Sequence, residues 1–294
     1  MKKNKIIITG GAGFVGSNLI EFLLNKTKYK IISIDNYSSG SKKNHIKNPR
    51  VKYIEGDTID IEKLIINPKE INSIFHFGEF ARIYQSFLYM NQCINSNTIG
   101  SNSIFNFCLK NKIKLIYSAT SASLGNKGLD KNLSPYAFTK SKNLELLENL
   151  KKWYGFKYEI IYFFNVYGPK QISTGKMSTV IGIFEDAYKN NKPLPVVKPG
   201  NQTRRFTHID DTIKICYLAW KQNKCRHYSI SNKKSYSILE VAKMFGQKIK
   251  FLKKRPGERY ASALTDINLS NKIYKYFGKI KLSDYIKRFI ELQN

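Results

Sequence analysis

Tyr136 and Lys140 stand four residues apart in Ser134-Pro135-Tyr136-Ala137-Phe138-Thr139-Lys140. On a helix this spacing puts a phenol and an ammonium on one face. A phenol with its ordinary pKa near 10 is a poor base at neutral pH. An ammonium about 4 Å away, at an effective dielectric near 20, is worth roughly 4 kcal/mol, or about three pKa units. Such a shift lets a phenol exchange a proton with an alcohol. Thr120, at the end of an apolar run, offers a short hydroxyl to hold that same alcohol. Tyr-x-x-x-Lys also occurs at Tyr188 and Tyr217, no more often than chance gives in a chain this rich in both residues. Only Tyr136 opens a helical stretch directly after a Pro and follows a strand-like run ending in Ser118-Ala119-Thr120-Ser121.

A second constellation lies at the start of the chain. Residues 9–17 read Thr-Gly-Gly-Ala-Gly-Phe-Val-Gly-Ser, directly after Lys5-Ile6-Ile7-Ile8 and before a helical pattern. Small residues at Gly11, Gly13 and Gly16, or in the Gly10, Gly13, Gly16 register, let a backbone approach a pyrophosphate. The helix that follows adds free N–H groups and the positive end of its dipole. Asp35 comes 19 residues after Gly16, at the end of the next β-branched run. A carboxylate there accepts both ribose hydroxyls of an adenosine and repels a 2′-phosphate. Asn36 follows rather than Arg, which favours NAD over NADP. Asp57, after a third run, suits the adenine amino group.

These groups must be held by elements, and the chain supplies them in alternation. Apolar, β-branched runs occur at residues 5–9, 31–34, 51–54, 74–77, 115–117 and 160–163. Helical spacing lies between most of them, notably over 97–111 and 136–153. Buried strands alternating with helices predict an α/β fold with a parallel sheet covered on both faces. After Gly168 the segments shorten and Pro193, Pro195, Pro199 and Pro256 appear. The expected organisation is a nucleotide-binding domain over residues 1–168 and a smaller lobe, mainly for substrate, over 169–294. A segment near 204–230 is expected to return to the first domain.

Composition removes several other classes. The 294 residues are 42% hydrophobic and 24% charged, as in ordinary globular chains. No apolar run is long enough to span a bilayer, and Ile6-Ile7-Ile8 is too short for a secretory core, so a cytoplasmic protein is expected. Cys93, Cys108, Cys216 and Cys225 form no C-x-x-C pair, so neither a metal site nor a disulfide framework is expected. The net charge of +29 comes from 42 Lys and only 8 Arg, scattered along the chain and accompanied by 27 Asn. That distribution reads as a solvated surface rather than a nucleic-acid stripe, although positive charge also steers a diphosphate inward.

Taken in order, the motifs resemble the extended short-chain dehydrogenases/reductases, specifically the NAD-dependent nucleotide-sugar epimerase/dehydratase family, in the manner of UDP-glucose 4-epimerase. The resemblance rests on residues 9–17, Asp35-Asn36, Gly56-Asp57, His76-Phe77-Gly78, Asn97 to Gly100, Thr120 and residues 134–140. It continues through Phe164-Asn165-Val166-Tyr167-Gly168-Pro169, residues 202–211 and Arg255-Pro256-Gly257-Glu258. It implies a Rossmann-type doubly wound parallel sheet with a smaller C-terminal substrate-binding lobe. It also implies that Gly10, Gly13, Phe14, Val15 and Gly16 bind pyrophosphate, that Asp35, Asn36 and Ser39 hold the adenosine ribose, and that Asp57 meets adenine. Phe77, Gly78, Asn97 and Ser118 would line the dinucleotide. Tyr136 would be the base, Lys140 its partner and a ligand of the nicotinamide ribose, and Thr120 the helper. Asn165, Arg204, Arg255 and Glu258 would face a nucleoside-diphosphate sugar. Asp210 and Asp211 are expected to be structural.

The departures from the family pattern narrow the activity. Ser121-Ala122 stands where the 4,6-dehydratases carry Asp-Glu, so elimination of water lacks its acid/base pair. Glu79 replaces a small residue and is expected either to reach the sugar or to pair with Arg82. Ala119, Leu124 and Arg205 also depart from the pattern, and the loop between Gly125 and Tyr136 is short. The expected reaction is C4 epimerisation of a nucleotide sugar through a transient 4-keto intermediate. The alternative is a C4 dehydrogenase that releases the 4-keto UDP- or GDP-hexose or heptose for surface-polysaccharide biosynthesis. The family's habit implies a homodimer, or a tetramer, packed through 97–111 and 136–153. No nucleic-acid or membrane partner is expected.

Overall fold

The computed structural model describes residues 3–124, 130–256 and 273–293. The six apolar runs form β1 (Lys5–Thr9), β2 (Lys30–Asp35), β3 (Val51–Glu55), β4 (Ile71–His76), β5 (Lys114–Thr120) and β6 (Tyr158–Phe163). Beyond them lie β7 (Val166–Tyr167), β8 (Leu194–Val197), β9 (Thr203–Arg205) and β10 (Thr207–His208). The last strands are β11 (His227–Ser231), β12 (Ser235–Ser237), β13 (Ile249–Leu252) and β14 (Ile273–Phe277). The helices begin with α1 (Phe14–Lys26), α2 (Ile61–Leu64), α3 (Ile83–Leu88), α4 (Met90–Ile94) and α5 (Ser101–Lys110). They continue with α6 (Pro135–Tyr154), α7 (Val180–Lys189), α8 (Ile209–Gln222), α9 (Ile238–Met244) and α10 (Leu282–Glu291).

Eight strands make one parallel sheet in the order β14-β11-β6-β5-β4-β1-β2-β3. Side chains alternate across it. Ile6 and Ile8 enter a core with Leu19, Ile20 and Leu23 of α1 and Ile213, Cys216 and Ala219 of α8. Ile7 enters the opposite core with Ile104 and Phe105 of α5 and Leu147 and Leu150 of α6. Burial on both faces is why these strands read as unbroken apolar runs rather than as apolar-polar alternation. Strand order reverses between β1 and β4, and the carboxyl ends of those strands open a crevice there.

The chain leaves this sheet after β6 and builds a smaller layer from three strand pairs, β10 with β7, β12 with β9 and β13 with β8. Their core joins Tyr167, Phe184 of α7, Val196, Phe206, Val241 of α9 and Leu282 of α10. A capping box, Ser237 with Glu240, fixes the start of α9. α8 and β11 lie on the main sheet, in the stretch where a return is expected. β14 joins it too, well beyond that stretch, so the main sheet takes strands from both sides of the small layer. The sequence gives no signal for β14 because an edge strand keeps much of its side-chain surface exposed, as at Tyr274 (40%) and Phe277 (46%). All four cysteines are free. Among the described residues no helix is long and apolar enough to cross a membrane.

Candidate active site

The first end of the site forms where β1 stops. Gly10 turns with φ +69°, and a Cβ there would come within 2.9 Å of the Phe77 carbonyl. Only glycine lets the loop after β1 lie this close to the loop after β4. Gly16 meets the Gly10 carbonyl in the same way, at 2.2 Å from where its Cβ would stand. Gly13 caps α1 without a side chain, so the N–H groups of the first helical turn remain for a ligand. Asp35 is buried and accepts from the N–H of Ala12 and of Tyr37, each at 2.9 Å, which aims the carboxylate into the crevice. Burial raises its pKa, and these backbone bonds oppose the rise. Asn36 donates to Asp57 at 2.9 Å, and Asp57 also accepts from Ile59 N–H, which orders the edge of the adenine end. A glycine cradle, an uncapped helix start and an aimed, buried carboxylate fit the pyrophosphate and ribose of NAD.

The other end forms where β5 stops. Thr120 closes that strand, and its hydroxyl accepts from Ala122 N–H at 3.1 Å. Ser134 caps α6 through Ala137 N–H, and Pro135 occupies the first turn, so Tyr136 enters at a fixed angle. The Thr120 hydroxyl lies beside the Tyr136 phenol, and both line the cavity. The phenol's pKa is pushed up to about 12, chiefly by burial, with Glu79 adding to the rise and Thr120 and Arg82 opposing it. This reverses the expectation that Lys140 lowers the phenol. Lys140 does share the helix face, but its ammonium is bonded to the Glu79 carboxylate and to the Ser118 carbonyl. The two side chains are 4% and 2% exposed, so the pair presents a nearly cancelled charge to Tyr136.

Glu79 therefore pairs with Lys140 rather than with Arg82, and it lines the cavity with both oxygens already accepting from neighbours. Its second oxygen accepts from Ser101 Oγ at 2.8 Å, Tyr117 Oη at 2.9 Å and Asn143 Nδ2 at 3.3 Å. Ser101 also contacts His76 Nε2 at 3.0 Å, and His76 Nδ1 contacts Thr9 Oγ1 at 2.7 Å. Thr9 Oγ1 accepts the N–H groups of Phe77 and Gly78, so its own proton goes to Nδ1. Ser101 spends its proton on Glu79, so His76 carries its proton on Nε2. Burial drives the His76 pKa down to about 4, which keeps the ring neutral. One chain of hydrogen bonds thus runs from the glycine-loop strand to Lys140.

Gly10, Gly13, Phe14, Val15, Gly16, Asp35, Asn36, Ser39, Asp57, Phe77, Gly78, Ser118, Thr120, Tyr136 and Lys140 line one cavity of about 570 Å³. Asn165, Arg204 and Arg255 line the same cavity from the side of the smaller layer. Asn165 is fixed by donating to the Arg205 carbonyl at 2.9 Å, and the Arg255 guanidinium lies over the Tyr84 ring. Asn97 differs from its expected place beside the dinucleotide. It is fully buried, accepts from Phe80 N–H at 2.7 Å and donates to the Phe80 carbonyl at 3.0 Å, so it braces the loop behind the cavity. Glu258 lies outside the described residues. Asp211 holds the N–H groups of Lys279 and Ile280, a structural role. Sequence reading misses Ser101, Tyr117 and Asn143 as a unit, and it misses Arg82 as a cavity residue. Only the polar character of residues 101 and 143 in otherwise helical segments hints at them.

The sequence model of the NAD dependent epimerase/dehydratase family matches residues 6–231. A putative UDP-glucose 4-epimerase of Methanocaldococcus jannaschii is 29% identical over 306 aligned positions, covering 97% of each chain. The UDP-N-acetylglucosamine 4-epimerase of Methanobrevibacter ruminantium M1, solved with UDP-N-acetylmuramic acid, superposes with a TM-score of 0.84 at 27% identity, over 99% of this chain and 98% of that one. The UDP-glucuronic acid 4-epimerase of Bacillus cereus, solved with UDP-glucuronic acid and NAD, gives a TM-score of 0.85 at 26% identity, over 99% of this chain and all of the other. With this family model covering most of its length and the glycine cradle and Asp35 in place for NAD, the chain belongs to the NAD dependent epimerase/dehydratase family.

Proposed function

We propose that the protein is a cytoplasmic, homodimeric C4 epimerase of a nucleoside-diphosphate sugar. The observation that carries this reading is the Thr120–Tyr136 pair on the wall of a cavity that extends from the glycine loop to Arg204 and Arg255. NAD bound at the glycine loop supplies a two-electron acceptor for C4 and a positive ring that favours the phenolate. Tyr136 takes the proton of the C4 hydroxyl, and Thr120 holds the same oxygen. Lys140, fixed by Glu79 and Ser118, lines the cavity, where it would hold the cofactor ribose. Arg204 and Arg255 anchor the diphosphate while the 4-keto sugar turns its other face to the cofactor, from which C4 would take the hydride back, and Tyr136 returns the proton to the C4 oxygen. Ser121 and Ala122, beside Thr120, offer no carboxyl group for elimination of water.

The test is incubation of the purified protein with UDP- and GDP-sugars, without added cofactor, followed by proton NMR. The expected result is a C4 stereoisomer formed over many turnovers. One equivalent or less of 4-keto product, with reduced cofactor left on the protein, would replace this reading with the C4 dehydrogenase.

A further inference from the structure

The cavity holds a cation that the C4 chemistry leaves unused. Arg82 precedes α3, and its half-buried side chain lines the wall near Tyr136, whose phenol feels its charge. Its Nε donates to the carbonyls of Met177 (2.9 Å) and Ser178 (3.2 Å), and Nη1 donates to the Ala81 carbonyl (2.7 Å). All three acceptors are neutral. Among the described residues no carboxylate reaches Arg82, and the nearest in sequence, Glu79, is committed to Lys140. Nη2 has no hydrogen-bond acceptor among the described residues.

Water solvates this guanidinium only while the cavity is open. A nucleotide sugar displaces that water, and a cation buried without an anion is costly. Tyr136 does not supply the anion in the resting site, because its phenol is protonated. The diphosphate has its own cations in Arg204 and Arg255, on the side of the smaller layer. The planar fork of an arginine matches a carboxylate in a two-point bond. We infer that Arg82 receives a carboxylate carried by the sugar, so that the preferred substrate is a nucleoside-diphosphate uronate rather than a neutral hexose. The inference rests on the nucleotide-sugar reading above and deepens it.

Calorimetric titration separates the two. The probes are UDP, UDP-glucose and UDP-glucuronate, with GDP-mannose and GDP-mannuronate as the guanosine pair. The uronate is expected to bind at least about tenfold tighter than the neutral sugar on the same base, the range of a charge-assisted hydrogen-bonded pair. Arg82→Met is expected to bring that ratio close to one, and Arg82→Lys, which keeps charge but not the fork, to leave it in between. UDP affinity measured on each variant reports the diphosphate site and the fold. A ratio near one in the wild type overturns the inference. So does a ratio that Arg82→Met leaves unchanged while all affinities fall together, since Arg82 then serves the diphosphate or the fold. A ratio left intact while the acid limb of kcat/KM moves assigns Arg82 to Tyr136 alone and equally overturns it. Uronate preference without turnover keeps the Arg82 assignment and removes the C4 reading, whereas no binding by any probe removes both.

Discussion

Glu79 sets the charge that Tyr136 feels. Without it, Lys140 would stand as a lone ammonium on the face of the phenol, as the four-residue spacing suggests. With it, the pair is buried and nearly neutral, and the phenol stays protonated to about pH 12. Glu79→Gln keeps the side chain's shape and removes its negative charge. A nearby negative charge favours the neutral phenol, so its removal favours the phenolate. The phenol absorbance titration, taken as wild type minus Tyr136→Phe and again in the Glu79→Gln background, is expected to move to lower pH. An unmoved titration would show that Tyr136 does not sense Glu79. The same change leaves Lys140 without its buried partner and is expected to cost about 3–5 kcal/mol in urea unfolding. The identities of Thr120, Tyr136 and Lys140 were legible from spacing. The partner of Lys140 was not, because Glu79 is 61 residues away in sequence and its side chain could have turned either to the cavity or to the core.

At the scale of elements, His76 ties the end of β4 to β1 through Thr9 and to α5 through Ser101. Its folded pKa of about 4 lies below the ordinary value of 6.5. The unfolded chain therefore binds this proton more readily than the native one, and acid favours unfolding. The contribution is full above pH 6.5 and is lost as pH falls through about 4, with a size on the order of 3 kcal/mol. Unfolding free energy measured between pH 7 and pH 4 is expected to fall, and His76→Gln is expected to flatten that slope. An unchanged slope would place the acid sensitivity elsewhere. The strands themselves were readable because burial on two faces leaves unbroken apolar runs. β14 was not readable, since an edge strand is selected by its neighbour β11 and not by its own hydropathy.

At the scale of the molecule, large apolar side chains remain exposed along the outer helices, including Phe87 (39%), Ile99 (44%) and Phe138 (44%). Such a surface is expected to be covered by a second copy. Light scattering should give twice the chain mass of 34.0 kDa, and Phe138→Glu should shift the species toward that single mass. A wild-type monomer at micromolar concentration would remove the dimer from the proposal. The charge of +29 is spread over the chain and carries no fold information, but it supports inward steering of an anionic diphosphate, with association slowed by added salt.

The sequence by itself determined the alternation of strands and helices, the glycine cradle, Asp35 and the Thr120–Tyr136 pair. Each is local: a backbone geometry, a periodicity, or side chains placed by the ends of neighbouring elements. Tertiary structure decided which charges meet. Lys140 found Glu79, Asn97 turned from the cavity to Phe80, and Arg82 was left facing the cavity without an anion. Electrostatic partnership depends on distance and burial across elements far apart in the chain, and neither quantity is written in residue spacing.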